Sequence, residues 1–398
     1  MKLQIKEMNF TALIGALKTG KIDLIVSGMS KTPEREKEVN FSTPYLYETQ
    51  VMVIRKADKA KYKSIADFSG KRVGAQKQTT QEQLAKTQLP GAKVTSLDKA
   101  NDVVAQISYN KLDAGVLAST IADSYVARTP SLTVIDPHFA TDKAPTAIAV
   151  SKQSPALLKQ VNKTISKVKG AKYKSYLQAA YKLQDQDQGF WAKYGNYFIR
   201  GAIYTLVFAV LTVLFGTIIG TLLALMKLSR NWLAKVVANI YIEFIRGTPL
   251  LVQAFIVFFG TQILGLDLSA FVAGAIAMAI NSGAYVAEII RGGINSVPVG
   301  QTEAARSLGL HQSQAMRYVI LPQAMKNIWP ALGNEFVTDI KESSVLSVIG
   351  ATELMFEGTV VQGASFKPFL PLVVVAILYF IMTFTLSRLL RLIEKRFN

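Results

Sequence analysis

From Gly201 to Met226 the chain carries no charged residue. In hydrocarbon every backbone N–H and C=O must be satisfied within the segment, so such a run is forced into a helix. At 1.5 Å per residue it is long enough to cross ~30 Å of bilayer. Four further apolar runs follow, at about 250–266, 270–290, 328–349 and 369–386, giving five expected spans. The fourth contains Glu335, Asp339, Lys341 and Glu342. Charge at membrane depth faces a cavity or a partner. Asp339 and Lys341 are therefore expected either to face a pathway or subunit interface, or to pair with each other near the helix end. Basic residues cluster at 227–246, 291–326 and 388–396. The positive-inside rule puts these clusters in the cytoplasm, with residues 1–183 outside the cell and the C-terminus inside. A multi-pass plasma-membrane protein is expected.

The first half reads differently. Residues 1–196 carry 30 Lys+Arg and 17 Asp+Glu, against 15 and 10 in residues 197–398. The lysines are scattered rather than striped with aromatics, which argues against a nucleic-acid partner. Zero cysteines exclude disulfides, zinc–thiolate sites and thiol catalysis. His138 and His311 are the only histidines and have no ligand set around them, so no metal site is expected. Phe10, Leu13, Ile14 and Leu17 have helical spacing, and Gly20 closes that helix. Short apolar runs at 23–26, 51–54, 72–75 and 114–117 alternate with helical patterning, the signature of an α/β fold with largely parallel sheet. Gly15 to Ile22 approaches a phosphate-binding loop, but Ile22 stands where Ser or Thr would hold magnesium, and a helix rather than a strand precedes it. Met1 is followed by a charged amphipathic stretch with no apolar signal core.

The blocks Ser27 to Arg35 (SGMSKTPER) and Phe41 to Tyr45 (FSTPY), with Ser64 to Gly74, Gln78 to Glu82 and Ala147 to Val150, resemble the extracellular solute-binding proteins for polar amino acids. The resemblance covers about residues 3–183. It implies a type II periplasmic-binding-protein-like α/β domain of two lobes, joined by crossover strands near 49–55 and 144–150. Lobe one would be about 1–50 plus 150–183, with lobe two between. It also implies ligand roles for five residues. Arg35 would grip the carboxylate with its planar guanidinium, a geometry suited to two parallel hydrogen bonds. Ser30 and the backbone at Gly28 would support the carboxylate or ammonium. Thr80 at a helix N-terminus would face the carboxylate, and Phe10 would pack on the ligand side chain. Without the resemblance, Arg35 reads as a surface partner of Glu34 or Glu38. Two departures matter. The chain begins after the family's first strand and helix, so the domain is expected to be N-terminally incomplete. Ala118 stands where the family usually has an acid for the ligand ammonium; Glu48 or Asp123 could compensate.

Residues 184–196 form a polar, then aromatic-rich linker. From residue 197 to 398 the chain resembles the permease subunits of polar amino-acid ABC importers, an all-α five-span domain. Phe244 to Leu251 (FIRGTPLL) carries that resemblance. So does the stretch 292–322, with Glu303, Ala304, Ala305 and Gly309 followed by Leu321 and Pro322, which matches the loop by which that family docks its ATPase. No Walker motif occurs, so the resemblance implies no catalysis on this chain. ATP and magnesium would sit on a separate cytoplasmic ATPase. It also implies a homodimer or heterodimer of permease subunits in membrane lipid, importing an amino-acid ligand. Two other readings are weighed. A ligand-gated channel of glutamate-receptor type would place its pore between the lobe segments and often carries a Thr-Val-Gly-Tyr-Gly filter, which is absent here. A truncated copy with a weakened binding site would fit the missing first strand.

Overall fold

The computed structural model describes residues 3–140, 144–168, 170–184 and 189–394. Four residues of the expected linker (185–188) and the last two basic residues, Lys395 and Arg396, lie outside them. The chain divides into two compact units. One comprises residues 1–195 with 359–372, the other 196–358 with 373–398.

The first unit begins with the short helix α1 (Leu13–Lys18) and strand β1 (Leu24–Ile25). Helix α2 (Pro33–Glu38) precedes β2 (Asn40–Phe41), β3 (Leu46–Glu48) and β4 (Gln50–Arg55). Then β5 (Arg72–Gln76), α3 (Thr80–Gln88), β6 (Lys93–Leu97), α4 (Ala100–Ser108), β7 (Ala114–Ala118) and α5 (Ser119–Val126) alternate. Strands β8 (Leu132–Ile135), β9 (Ala144–Thr146) and β10 (Ala149–Val150) and helices α6 (Pro155–Val168) and α7 (Ala171–Gln184) complete the run. A five-stranded sheet has the order β6-β5-β7-β4-β8, a small sheet the order β1-β10-β2, and β3 pairs with β9.

The sheet is mixed, not largely parallel as the alternation suggested. β5 runs parallel to β6 and β7, but β4 is antiparallel to both β7 and β8. The reason lies in the connection. β4 continues directly from β3, which is tied to β9, so it enters the sheet from the crossover end rather than through a βαβ unit. Central strand β7 (AGVLA) is buried along its whole length and is correspondingly apolar throughout. One core, around Val51, Val53, Val103 and Ile107, lies on one face of the sheet; another, around Met52, Ile54, Phe68 and Val116, lies on the other. This alternation of β4 side chains is the period-two pattern of a strand. A third, smaller core gathers Leu17, Ile25, Met29 and Ala149.

The stretch 359–372 is also part of this unit, although the chain from 196 to 358 separates it from the rest. Phe366, at a left-handed φ of +55°, sets its ring edge-on to Tyr125, with centroids 5.1 Å apart. The Arg128 guanidinium lies 4.9 Å over the same ring. Phe369 meets Tyr109 edge-on at 5.5 Å.

The second unit is helical. It is built from most of α8 (Phe190–Leu228), then α9 (Trp232–Gly247), α10 (Leu250–Ile263), α11 (Ala270–Asn295), α12 (Val299–Ser307), the one-turn α13 (Gln312–Ala315) and α14 (Leu321–Glu342). The first turns of α15 (Leu354–Ser365) and nearly all of α16 (Leu370–Glu394) complete it. Helices α8, α11 and α16 are each long and apolar enough to cross a membrane, and the total is up to five if each of two bent pairs is one span. The pair α9–α10 bends by 107°. There Gly247-Thr248-Pro249 interrupts the helix, because Pro249 lacks an N–H and pushes the preceding residue towards extended angles. The pair ending in α15 bends by 50°, where Gly350 takes a left-handed φ of +82°. The second and fourth expected spans (250–266 and 328–349) are thus each one arm of a bent pair, whose other arms, α9 and α15, the apolar runs did not include.

Of the charges in the fourth segment, Asp339 is buried and accepts from Ser282 Oγ at 3.2 Å, while Lys341 is exposed. They do not pair with each other.

Candidate functional site

Phe10, Gly28, Ser30, Arg35 and Thr80 all line one cavity of about 330 Å³ in the first unit. Their placement follows from short local structures. Thr32 caps α2 by accepting from the Arg35 N–H at 3.4 Å. Pro33, with its preset φ, stands in the first turn where no N–H partner is needed. That fixes Arg35 in the first turn with its side chain turned back. The guanidinium donates from Nη1 to the Ser30 carbonyl (2.7 Å) and from Nη2 to the Gln78 carbonyl (2.8 Å). It lies 5.5 Å over the Phe10 ring. Of its five N–H groups, three remain for a ligand. Burial pulls its pKa down from the ordinary value, but a guanidinium stays charged at any physiological pH. Glu38 pairs with Lys18 instead of Arg35, and Glu34 acts on Arg35 only as a nearby charge, so the guanidinium's hydrogen bonds go to the cavity wall.

The opposite wall is the start of α3. Thr79 caps it, accepting from Glu82 N at 3.3 Å and donating to the Gln76 carbonyl at 2.6 Å. Thr80 is thereby the first helical residue, and its hydroxyl sits 3.3 Å from Ser30 Oγ. Gly28 has a φ of +61°, and a Cβ there would meet nothing within 4 Å, so its backbone faces open space.

Sequence reasoning missed three residues here. Gln78 has a left-handed φ of +59°, which aims its carbonyl at Arg35 while its N–H goes to Glu82 Oε2 at 2.7 Å. A glutamine gives no sequence signal for such a turn. Lys99 and Asn101, at the start of α4, also line the cavity. Ala118 forms part of the wall. Neither acid considered as its substitute is among the residues lining the cavity. Glu48 is buried beneath and accepts from the hydroxyls of Thr120 and Thr146, the latter at 3.0 Å. Asp123 is exposed on α5.

The second candidate surface lies in the other unit. Glu303, Ala304 and Ala305 belong to α12, and only Ala305 is buried. Gly309 closes the helix at φ +87°. The Gly309 N–H meets the Arg306 carbonyl (2.9 Å) and the Leu310 N–H meets the Ala305 carbonyl (3.2 Å), the paired bonds of a Schellman cap. A π-turn at Met316–Ile320 then leads into α14, with Leu321 and Pro322 exposed in its first turn. Gln323 Nε2 donates to the Val319 carbonyl at 2.8 Å, and Asn327 Nδ2 to Ser296 Oγ at 2.7 Å. Beneath this face Val297, Ile320, Ala324 and Ile328 form a small core. Above it Leu308 and Tyr318 remain 84% and 64% exposed.

Comparison with known proteins bears on both halves. Residues 1–181 match the family of bacterial extracellular solute-binding proteins, family 3. Residues 216–398 match the binding-protein-dependent transport system inner membrane component. GlnP of Rickettsia bellii is 42% identical over 201 residues, half of this chain and 92% of its own length. The glutamine transport system permease protein GlnP of Escherichia coli is 40% identical over 200 residues, again half of this chain and 91% of its own. A crystal structure of an amino acid ABC transporter with histidines is 51% identical, covers 52% of this chain and 96% of that one, and has a TM-score of 0.50.

Proposed function

This chain belongs to the family of binding-protein-dependent transport system inner membrane components and carries a family 3 solute-binding domain ahead of its permease part; from that premise we propose how it works as an amino-acid ABC importer. The first unit captures a polar amino acid outside the cell. Arg35 holds the carboxylate through its remaining N–H groups, Ser30 and Thr80 add hydroxyls, and Phe10 packs on the side chain. With Ala118 in the wall, the ammonium is met by neutral oxygens such as those of Gln81 and Asn101 rather than by a carboxylate. The membrane unit pairs with a second permease subunit to form the pathway. A separate cytoplasmic ATPase docks on the face carrying Glu303, Ala304, Gly309, Leu321 and Pro322, around the exposed Leu308 and Tyr318. ATP and magnesium are bound by that partner.

The observation that supports this reading most is Arg35. Its guanidinium is held by two backbone carbonyls at the wall of a cavity that gathers all five ligand candidates. Losing a buried, hydrogen-bonded charge pair costs about 2–5 kcal/mol. Arg35→Ala in the full chain should therefore weaken binding of the preferred amino acid by a factor of about 30 or more, measured by titration with radiolabelled glutamine, arginine and glutamate. Equal binding by the variant would sink the site assignment. For the docking face, Glu303→Ala and Gly309→Val should lower ATPase association and uptake. Unchanged association and uptake would remove that part of the reading.

A further inference from the structure

Helices α8 and α11 approach each other unusually closely. A Cβ added at Gly220 would lie 2.6 Å from Val286 Cβ and 2.8 Å from the Gly283 carbonyl oxygen. One added at Gly283 would lie 2.7 Å from Ile219 Cγ2, and one at Gly216 would lie 3.1 Å from Ser282 Cβ. Two turns of backbone are thus in contact, an approach that only small residues allow. One turn beyond, Leu223 packs with Ala284 and Ala287. Beyond that comes charge. Lys227 of α8 donates to Glu288 Oε1 of α11 at 2.7 Å. Arg291 donates from Nε and Nη2 to the other oxygen, Oε2, at 3.1 and 2.8 Å. Each carboxylate oxygen is therefore held by a different cation, and one of the two crosses between helices. The side chains of Lys227 and Glu288 are only 22% and 18% exposed, so this is not a solvent-screened surface pair. Arg230, just past the end of α8, extends the link by donating to Gln312 Oε1 of α13 at 2.8 Å.

We propose that Glu288 is a positioning residue for energy coupling: it locks α8 to α11, so that α8, α11 and the α12 that follows move as one rigid body when the ATPase acts on α12. This rests on the docking role given above to α12. The competing motion is a shear, in which α8 slides along α11. The glycine seam disfavours sliding, because a backbone-to-backbone fit is lost with any axial displacement, and the Lys227–Glu288 bond would break with it.

The test uses the cysteine-free chain in its complete transporter, purified from its native host and reconstituted in proteoliposomes. Uptake of radiolabelled glutamine, arginine and glutamate is read beside ATP hydrolysis. Gly216→Cys with Ser282→Cys places two Cβ atoms 3.1 Å apart, so a disulfide forms once the seam opens by a few tenths of an ångström, and the reduced form of the same variant, compared with the unaltered chain, controls for that opening. If the pair moves as one body, oxidised and reduced forms transport equally. Glu288→Gln should lower the amino acid moved per ATP by about fivefold or more, the size of a modest coupling energy. Its ATPase content should stay unchanged, and adding Lys227→Met should lower the ratio no further. A disulfide that stops uptake and releases it on reduction would overturn the inference while leaving the importer reading intact. So would an unchanged transport-to-ATP ratio in Glu288→Gln. Absence of ATP-dependent uptake by the unaltered chain would overturn both.

Discussion

Gln78 keeps a left-handed backbone without being glycine, beside the residue that grips the ligand carboxylate in our reading. Left-handed angles cost an ordinary residue roughly 1–2 kcal/mol, and more when the side chain is β-branched. Gln78 already bears that cost, so Gln78→Val, which adds only the β-branched excess, should lower the stability of the first unit, whereas Gln78→Gly, relieved of it, should raise it by up to about 1 kcal/mol, as urea melts of the two variants would tell. Equal losses would mean that the side chain, not the backbone, matters there. Asp113 offers a second case. It accepts from Arg72 N (2.8 Å), Nε (3.2 Å) and Nη2 (2.8 Å). These bonds to Arg72 hold its pKa down at about 2, against an ordinary 3.8. A depressed acid stabilises the fold above its unfolded pKa, and that stabilisation is lost as pH falls through the folded value. The window is therefore from about pH 4 to about pH 2, and nearly two units correspond to roughly 2 kcal/mol. Asp113→Asn should remove that amount at neutral pH and flatten the acid limb of the stability profile. Arg35 and its four companions were legible because their residue types sit in recognisable blocks. Gln78, Lys99 and Asn101 were not, because a backbone angle and an approach across a cleft leave no pattern in the chain.

Among the elements, the helix ends carry more information than the helix bodies. The cap of α12 was readable from one glycine, since a residue past the last turn that must accept φ +87° is costly for anything else. Gly309→Ala should loosen that cap by about 1 kcal/mol, visible as faster amide exchange at positions 309 and 310, with α11 unaffected. The apolar runs stopped at the breaks by Pro249 and Gly350, so each expected span caught one arm of a bent pair and left out the other, α9 in one case and α15 in the other. Sheet direction was misjudged for a related reason. Strand–helix alternation describes β5 to β7 well, but β4 arrives from the crossover, a non-local connection that periodicity does not encode.

At the level of the whole molecule, two compact units predict two thermal events. An amino acid at a hundred times its dissociation constant adds about 2.7 kcal/mol to whatever unit binds it. Scanning calorimetry in detergent should then show the first unit's transition rise and the other stay in place; a joint shift would show a single cooperative body. The split into a basic, soluble half and an apolar half was plain from charge alone. What charge did not reveal is that the first unit also takes in residues 359–372, the end of α15, the start of α16 and the loop that joins them. Phe366, seated on Tyr125 beneath Arg128, is a side chain that the first 195 residues do not contain. A cut after Gly195 would thus release a domain whose core is intact but whose Tyr125 ring has lost the aromatic packed on its edge. Exchanging this receptor for another by swapping one continuous stretch of gene would leave Phe366 and Phe369 facing surfaces they were not shaped for, so a working graft has to carry two stretches of sequence, not one.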